Sequence, residues 1–178
     1  MAVWGAAALV LMLPLFAMQV TDEVDWDVVD FALFGAMLAG ACGTYELAAR
    51  ASGSNAYRAA VGVALAAAFI LVWMNLTVGI IGDEDNPANL MYGGVLAVGI
   101  IGAVIARLRP HGMVRALVAT ALAQASVAVI ALIGGWGYAL TLTGFFVALW
   151  LTSAGLFRKA AREQTPAGGA LKSNRRQR

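Results

Sequence analysis

The chain has 178 residues, of which 61% are hydrophobic and 12% are charged. A soluble domain usually carries about 25% charged residues, so this composition excludes an ordinary soluble globular fold. It is also the opposite of the polar, highly charged composition of disordered chains. The balance is typical of a membrane protein.

Six apolar runs follow one another along the chain, each long enough to cross roughly 30 Å of hydrocarbon as a helix. They are residues 2–20, 28–49, 59–81, 89–106, 116–134 and 138–157. Backbone groups in lipid must be bonded within the protein, so each run is predicted to be a helix. The sequence therefore predicts an all-α, polytopic membrane protein built as a six-helix transmembrane bundle. The first run lacks a preceding Lys or Arg and a cleavage motif, which favours a retained helix over a signal peptide.

The last segment, residues 158–178, is a basic tail that is too polar to pack and too short for a domain. We expect a short extension of the sixth helix followed by disorder. Its Lys and Arg residues are expected to attract anionic lipids. Nucleic-acid binding is not expected, because it requires more than positive charge.

Charged residues divide between the two ends of the predicted helices. With six spans, all twelve Lys and Arg residues fall on one side of the membrane. Eight of the ten acids lie in the loops of the opposite side: Asp22, Glu23, Asp25, Asp27, Asp30, Asp83, Glu84 and Asp85. Because Lys and Arg mark the cytoplasmic side, both termini are predicted to be cytoplasmic.

Small residues are concentrated in the second, fourth and fifth predicted helices. Ala36 with Gly40, and Ala39 with Gly43, are pairs of small residues four positions apart. Such pairs let helices approach closely in lipid, where no hydrophobic force drives association. Two interpretations stay open: packing within the six-helix bundle, or a face that binds a second copy or another membrane protein.

Polar residues near the outer ends of several helices form a candidate site. Its predicted members are Asp30, Asn75, Thr77, Asp83, Glu84, Asp85 and Tyr92, with Thr141 and Thr143 at similar depth. They would line a shallow cavity in which Asp30 is the ionisable group. Carboxylate and amide oxygens suit a hard divalent cation, but their spacing does not match the calcium-binding EF-hand loop.

A structural interpretation of the same residues is also open. Asp27 is placed to cap the second helix, and Asn86 or Asn89 to cap the fourth, with Pro87 in its first turn. The threonine hydroxyls would then bond to their own helices. Gln124, in the middle of the fifth helix, is predicted to make a hydrogen bond between helices.

Catalytic and cofactor signatures are missing from the sequence. The single Cys42 and single His111 exclude an intrachain disulfide, a cysteine metal cluster and bis-histidine haem ligation. The chain has no phosphate-binding glycine loop with its Lys, no Gly-x-Ser-x-Gly elbow and no His-Glu-x-x-His. We therefore predict no catalytic site, no resident metal and no cofactor.

Two loop segments resemble a known group of proteins. The stretch WMNLTVGIIGDEDNPANLMY, residues 73–92, and the stretch TDEVDW, residues 21–26, are similar to the outer loops of small uncharacterised bacterial multi-pass inner-membrane proteins. The resemblance extends from the first outer loop to Arg158. It implies a bacterial cytoplasmic membrane and brings no activity with it.

Two functions are thus open from the sequence. The first is handling of ions or small solutes through the acidic outer surface and the shallow polar cavity. The second is a non-catalytic accessory or assembly subunit of a larger membrane complex, in which the Gly-rich helices would make the contacts.

Overall fold

The computed structural model describes residues 2–82, 85–136 and 139–176, which form α-helices and no strand. The helices are α1 (Ala2–Val20), α2 (Val28–Arg50), α3 (Asn55–Thr77), α4 (Leu90–Ala106), α5 (Pro110–Ile133) and α6 (Ala139–Arg176). A one-turn 3₁₀ helix, Pro87–Asn89, precedes α4. All six helices are long and apolar enough to cross a membrane. The predicted all-α fold with six membrane-spanning helices is confirmed.

The chain divides into two compact units, Met1–Leu47 and Ala48–Arg178. In the N-terminal unit, α1 runs antiparallel to α2. The indole nitrogen of Trp4 donates to Glu46 Oε2 at 3.1 Å, near the end of α2. Leu11, two turns further along α1, lies against Gly35, at 3.9 Å from an ideal Cβ on that glycine. The two contacts fix the antiparallel register of this helical hairpin.

The C-terminal unit contains α3 to α6. Helix α6 packs along both α3 and α5, and α5 packs along α4, so the neighbours follow the order α3, α6, α5, α4. Helix α5 buries one face, whose members recur every three or four residues: Met113, Ala116, Leu117, Thr120, Ala121, Gln124, Val127 and Ala131. This spacing keeps one stripe of α5 between its two neighbours.

Close packing of α4 on α5 depends on small residues, as the sequence predicts for these helices. A Cβ added to Gly102 would lie 2.7 Å from Ala116 Cβ and 3.2 Å from Ala116 Cα. One turn earlier, a Cβ on Gly99 would lie 3.2 Å from the Thr120 hydroxyl oxygen. The backbones of α4 and α5 approach at this point to a distance that only glycine permits.

Helix α3 ends at Thr77, four residues before the end of the predicted apolar run. Gly79 adopts a left-handed conformation with φ of 73°, which stops the helix. The amides of Val78 and Gly79 both donate to Met74 O, at 3.1 and 3.0 Å. The chain then turns back, and Ile80 and Ile81 are 1% and 0% exposed. These apolar residues belong to a buried loop, which is why hydropathy alone placed them in the helix.

The starts of α3 and α5 lie earlier than the predicted runs because polar residues begin both helices. Ser54 caps α3 by accepting from the amide of Tyr57 at 3.3 Å. Helix α5 begins at Pro110, a residue that suits the first position of a helix.

Helix α6 continues to Arg176, where the sequence predicts a short extension followed by disorder. Phe157, Ala160 and Ala161 are at most 3% exposed, so packing carries the helix past the predicted end at residue 157. A helix of 38 residues is about 57 Å long, well beyond the thickness of a membrane. The separation of a cytoplasmic tail at residue 158 stays a prediction.

We expect Gly102→Ala to lower the free energy of unfolding by about 1–2 kcal/mol, because the new methyl group meets the rigid Ala116 backbone and Cβ. Thermal unfolding in a mild detergent measures the change. The matched control is Gly94→Ala on the same helix, where a Cβ meets nothing within 4 Å. That variant should keep or raise stability, since alanine favours helix over glycine. Equal losses in both variants would contradict close packing at Gly102.

Candidate functional site

Asn89 is the polar residue that organises the loop between α3 and α4. Its side chain is 6% exposed. Asn89 Oδ1 accepts from the backbone amides of Ile80 and Ile81, at 3.1 and 2.9 Å, and Nδ2 donates to Ile81 O at 3.2 Å. One carboxamide thus satisfies three backbone groups of the buried segment. We call residues 78–89 the Asn89 loop; within it the structure describes 78–82 and 85–89.

Asn75, a predicted site residue, lies beside this loop. Its Nδ2 donates to Asn89 O at 3.2 Å. Its Oδ1 is buried and has no hydrogen-bond partner among the described residues. The Asn75 side chain therefore anchors the loop to the last turns of α3, and its Oδ1 stays an unpaired buried acceptor.

Tyr92, on the first turn of α4, is fully buried. Its hydroxyl shares a 3.1 Å hydrogen bond with the hydroxyl of Thr143 on α6, which is also 0% exposed. The sequence groups Tyr92 and Thr143 at one depth, and the structure joins them directly. The bond ties α4 to α6.

Asp30 has a structural role at the start of α2. Asp27 Oδ1 accepts from the amides of Val29 and Asp30, at 2.7 and 2.9 Å. In return, Asp30 Oδ2 accepts from the amide of Asp27 at 3.0 Å. This reciprocal pattern is a capping box, and Trp26 completes it by packing edge-on against Phe31 at 5.2 Å, as a hydrophobic staple. The predicted cap at Asp27 is confirmed.

The other predicted site residues are dispersed. Thr77 is exposed and donates to Trp73 O of its own helix at 2.9 Å, as the structural interpretation predicts. Asp85 is exposed, and Asp83 and Glu84 lie outside the described residues. The structure therefore bonds Asn75 to Asn89, and Tyr92 follows Asn89 by three residues, at the start of α4. Asp30 belongs to the other unit.

Further polar contacts cross the apolar helices of the C-terminal unit. Trp150 Nε1 on α6 donates a hydrogen bond to Gln124 Oε1 on α5 at 3.5 Å. This is the interhelical bond predicted for Gln124. Ser153 Oγ donates to Ala60 O of α3 at 2.7 Å. The Tyr57 hydroxyl donates to Leu108 O, between α4 and α5, at 2.9 Å. With Tyr92 and Thr143, these contacts form a polar ladder that links α6 to α3, α4 and α5.

Sequence reasoning missed two of these roles. Asn89 was expected only as a helix cap, whereas its side chain folds back onto residues 80 and 81. Ser153 was not expected to bond to another helix. Neither role has a local signal, because both bonds join residues that the sequence does not place together.

A group of exposed basic residues lies at the opposite end of the C-terminal unit. Its members are Arg58, Arg107, Arg109, Arg115, Arg158, Lys159 and Arg162. Two contacts bring their helix ends together: Ser54 Oγ donates to Glu163 Oε2 at 2.7 Å, and Tyr57 binds the carbonyl of Leu108. We call these seven residues the basic collar.

Within the described residues, no group of three or more His, Cys, Asp or Glu side chains is placed to hold a metal ion. No protein-family model, curated protein or solved structure matches this chain. The resemblance to small bacterial inner-membrane proteins therefore stays a prediction.

We expect Asn89→Leu to lower the free energy of unfolding by about 3 kcal/mol, since it leaves two buried amides and one carbonyl without a partner. Limited proteolysis between residues 78 and 89, together with thermal unfolding, measures the effect. The control is Asn86→Ala, which removes one partly buried bond to the amide of Ala88 and should cost about 1 kcal/mol. If the two variants are equally stable, the role assigned to Asn89 is wrong.

Proposed function

We propose that this chain is a non-catalytic integral membrane protein that acts as an assembly or accessory subunit, either of a homodimer or of a larger membrane complex. The observation that carries the proposal is a face of α2 that α1 leaves uncovered within the N-terminal unit. The six apolar helices supply the membrane environment that such a role requires.

The open face of α2 runs along the side that α1 does not cover. Its members are Val29, Leu33, Ala36, Gly40, Gly43 and Leu47, spaced alternately by four and three residues. Val29 and Leu47 are each 69% exposed, and a Cβ on Gly40 or Gly43 would meet nothing within 4 Å. Large residues at both ends and small residues in the middle suit a crossing helix, because the backbones can approach closely at the centre.

The polar residues support this role over solute handling. The Asp30 carboxylate is engaged in the capping box, and the Tyr92 hydroxyl is engaged by Thr143. The Thr77 hydroxyl bonds to its own helix. Three of the predicted site residues thus have structural partners, which leaves fewer polar groups for a passing ion.

We further propose a bacterial cytoplasmic membrane as the location, with both termini in the cytoplasm. The separation of basic and acidic residues supports the orientation, and the resemblance of residues 73–92 supports the bacterial source. Anionic lipids are the proposed lipid partners of the basic residues after Phe157. Nucleic acid and enzymatic activity have no part in the proposal.

We expect Gly40→Leu to abolish the association, because a leucine side chain separates the backbones at the centre of the crossing. Crosslinking in native membranes from a photoreactive residue at Ala36 measures it, with the crosslinked product identified by mass spectrometry. Gly144→Leu is the matched control, since Gly144 is also an exposed helical glycine with nothing within 4 Å of its Cβ position. A crosslink to lipid alone in the unmodified chain, or one that survives Gly40→Leu, would contradict an assembly role for this face.

A second candidate function, the handling of protons or small cations, is favoured by one unpaired acceptor oxygen, since cations and protons bind to acceptor atoms. Asn75 Oδ1 is buried and lacks a hydrogen-bond partner among the described residues. An unpaired buried polar atom costs about 1–3 kcal/mol. A buried atom that binds a transient ligand would remain unpaired, despite this cost, while the ligand is absent.

If the second candidate holds, proteoliposomes containing the chain should dissipate an imposed proton or potassium gradient several-fold faster than empty vesicles. Asn75→Leu should slow the flux because it removes the unpaired acceptor. Thr152→Val, which removes only a hydroxyl bonded to Ala148 O of its own helix, should not. Flux equal to that of empty vesicles would reject this second candidate and leave the assembly role as the only proposed function.

A further inference from the structure

The basic collar concentrates positive charge on one end of the C-terminal unit. All seven side chains are exposed. In the segments that carry them, residues 51–62, 103–119 and 155–164, Glu163 is the single acid, and its carboxylate accepts a hydrogen bond from Ser54. This end therefore presents a surface of strongly positive potential next to helices that are apolar enough to cross a membrane.

The turn between α4 and α5 holds the backbone of two of the collar arginines in a defined conformation. Arg107 and Leu108 are both left-handed, with φ of 48° and 56°, a conformation that costs a residue other than glycine some free energy. Tyr57 stabilises the turn from α3 through its bond to Leu108 O, and the amide of Arg109 donates to Ala106 O at 3.0 Å. Arg107 and Arg109 therefore project from a braced turn.

Helix α5 adds to the charge at this turn. The helix begins at Pro110, after the N-cap residue Arg109. Among the described residues, no side chain accepts a hydrogen bond from the first amides of the helix. The first amides of α5 thus keep their partial positive charge next to the collar, and Arg115 follows about one turn later. Backbone dipole and arginine side chains at this turn favour the same ligand, an anion with several acceptor oxygens.

The surface directly beside the collar is apolar. Ile101, Val104 and Ile105 on the last turns of α4 are 58%, 70% and 77% exposed. A free phosphate would neutralise the arginines and leave these side chains uncovered. A ligand with an anionic headgroup and hydrocarbon chains would satisfy both surfaces at once.

We propose that the basic collar is a docking surface for anionic phospholipids. The headgroup phosphate binds at the α4–α5 turn among Arg58, Arg107, Arg109 and Arg115, and the acyl chains lie along the exposed side chains of α4. Zwitterionic lipids bind less well, because their ammonium group meets the same arginines. The inference rests on the membrane location and the anionic-lipid partners proposed above, and it assigns the main binding site to the α4–α5 turn instead of the end of the chain. It is independent of the assembly role of α2.

Native mass spectrometry of the full chain, with phosphatidylglycerol and phosphatidylcholine added in turn, tests the proposal. The unmodified chain should prefer phosphatidylglycerol. Replacing Arg58, Arg107, Arg109 and Arg115 by Gln should reduce that preference about tenfold or more, from the contribution of each basic residue near a membrane surface. The matched control replaces Lys172, Arg175, Arg176 and Arg178 by Gln, which removes the same charge from the end of the chain. It should keep most of the preference.

Several outcomes would overturn the proposal. They are an unchanged preference in the collar variant, an equal loss in the control variant, and displacement of the bound lipid by inorganic phosphate. The last result would identify free phosphate as the ligand.

A measurement on the unmodified chain covers the case in which the collar variant does not fold. Phosphatidylglycerol with a photoreactive headgroup should crosslink to peptides from residues 103–115. Crosslinks confined to residues 165–178 would assign the lipid to the end of the chain and reject the collar.

Discussion

The buried backbone after α3 is the constraint on which the C-terminal unit depends. Where a helix ends in an apolar environment, its amides and carbonyls lose their helical partners without gaining water. The Asn89 side chain supplies three of the missing bonds, and Asn75 in turn holds the carbonyl of Asn89. As a result, the end of α3, the buried Ile80 and Ile81, and the start of α4 form one bonded element. Polar residues at this end are directed toward the backbone.

The residues of the polar ladder likewise bond to other groups within the protein. Each of its contacts joins α6 or α3 to a different neighbour, and the polar side chains that make them are almost fully buried. In lipid, such bonds contribute about 1 kcal/mol each or less, so their larger effect is to fix which helix faces which. The C-terminal unit therefore uses its polar groups internally. In the N-terminal unit, in contrast, α1 leaves one face of α2 uncovered, and the proposed assembly role rests on that face.

Charge gives the C-terminal unit two unlike ends. The Asn89 loop carries the acidic Asp85 with Asp83 and Glu84 in its sequence, and the collar carries seven bases. This distribution suits a protein held in one orientation across a membrane. The two proposed surfaces belong to different units, because a lipid headgroup would bind at the collar while a partner helix would bind along α2. They share no residue, so a variant of one surface leaves the residues of the other unchanged.

The sequence by itself determined the six helices, because apolar runs of about 20 residues have no other stable structure in lipid. It also determined the Asp27 cap, since capping uses neighbours in the chain. Hydropathy could not locate the end of α3, because Ile80 and Ile81 are as apolar as the residues of the helix. They are nevertheless buried in the loop that follows it. The sequence likewise placed all the basic residues on one side of the membrane. Only the tertiary structure decided the roles of Asn89, Tyr92 and Ser153. These depend on bonds between distant segments, for which a single sequence carries no local pattern.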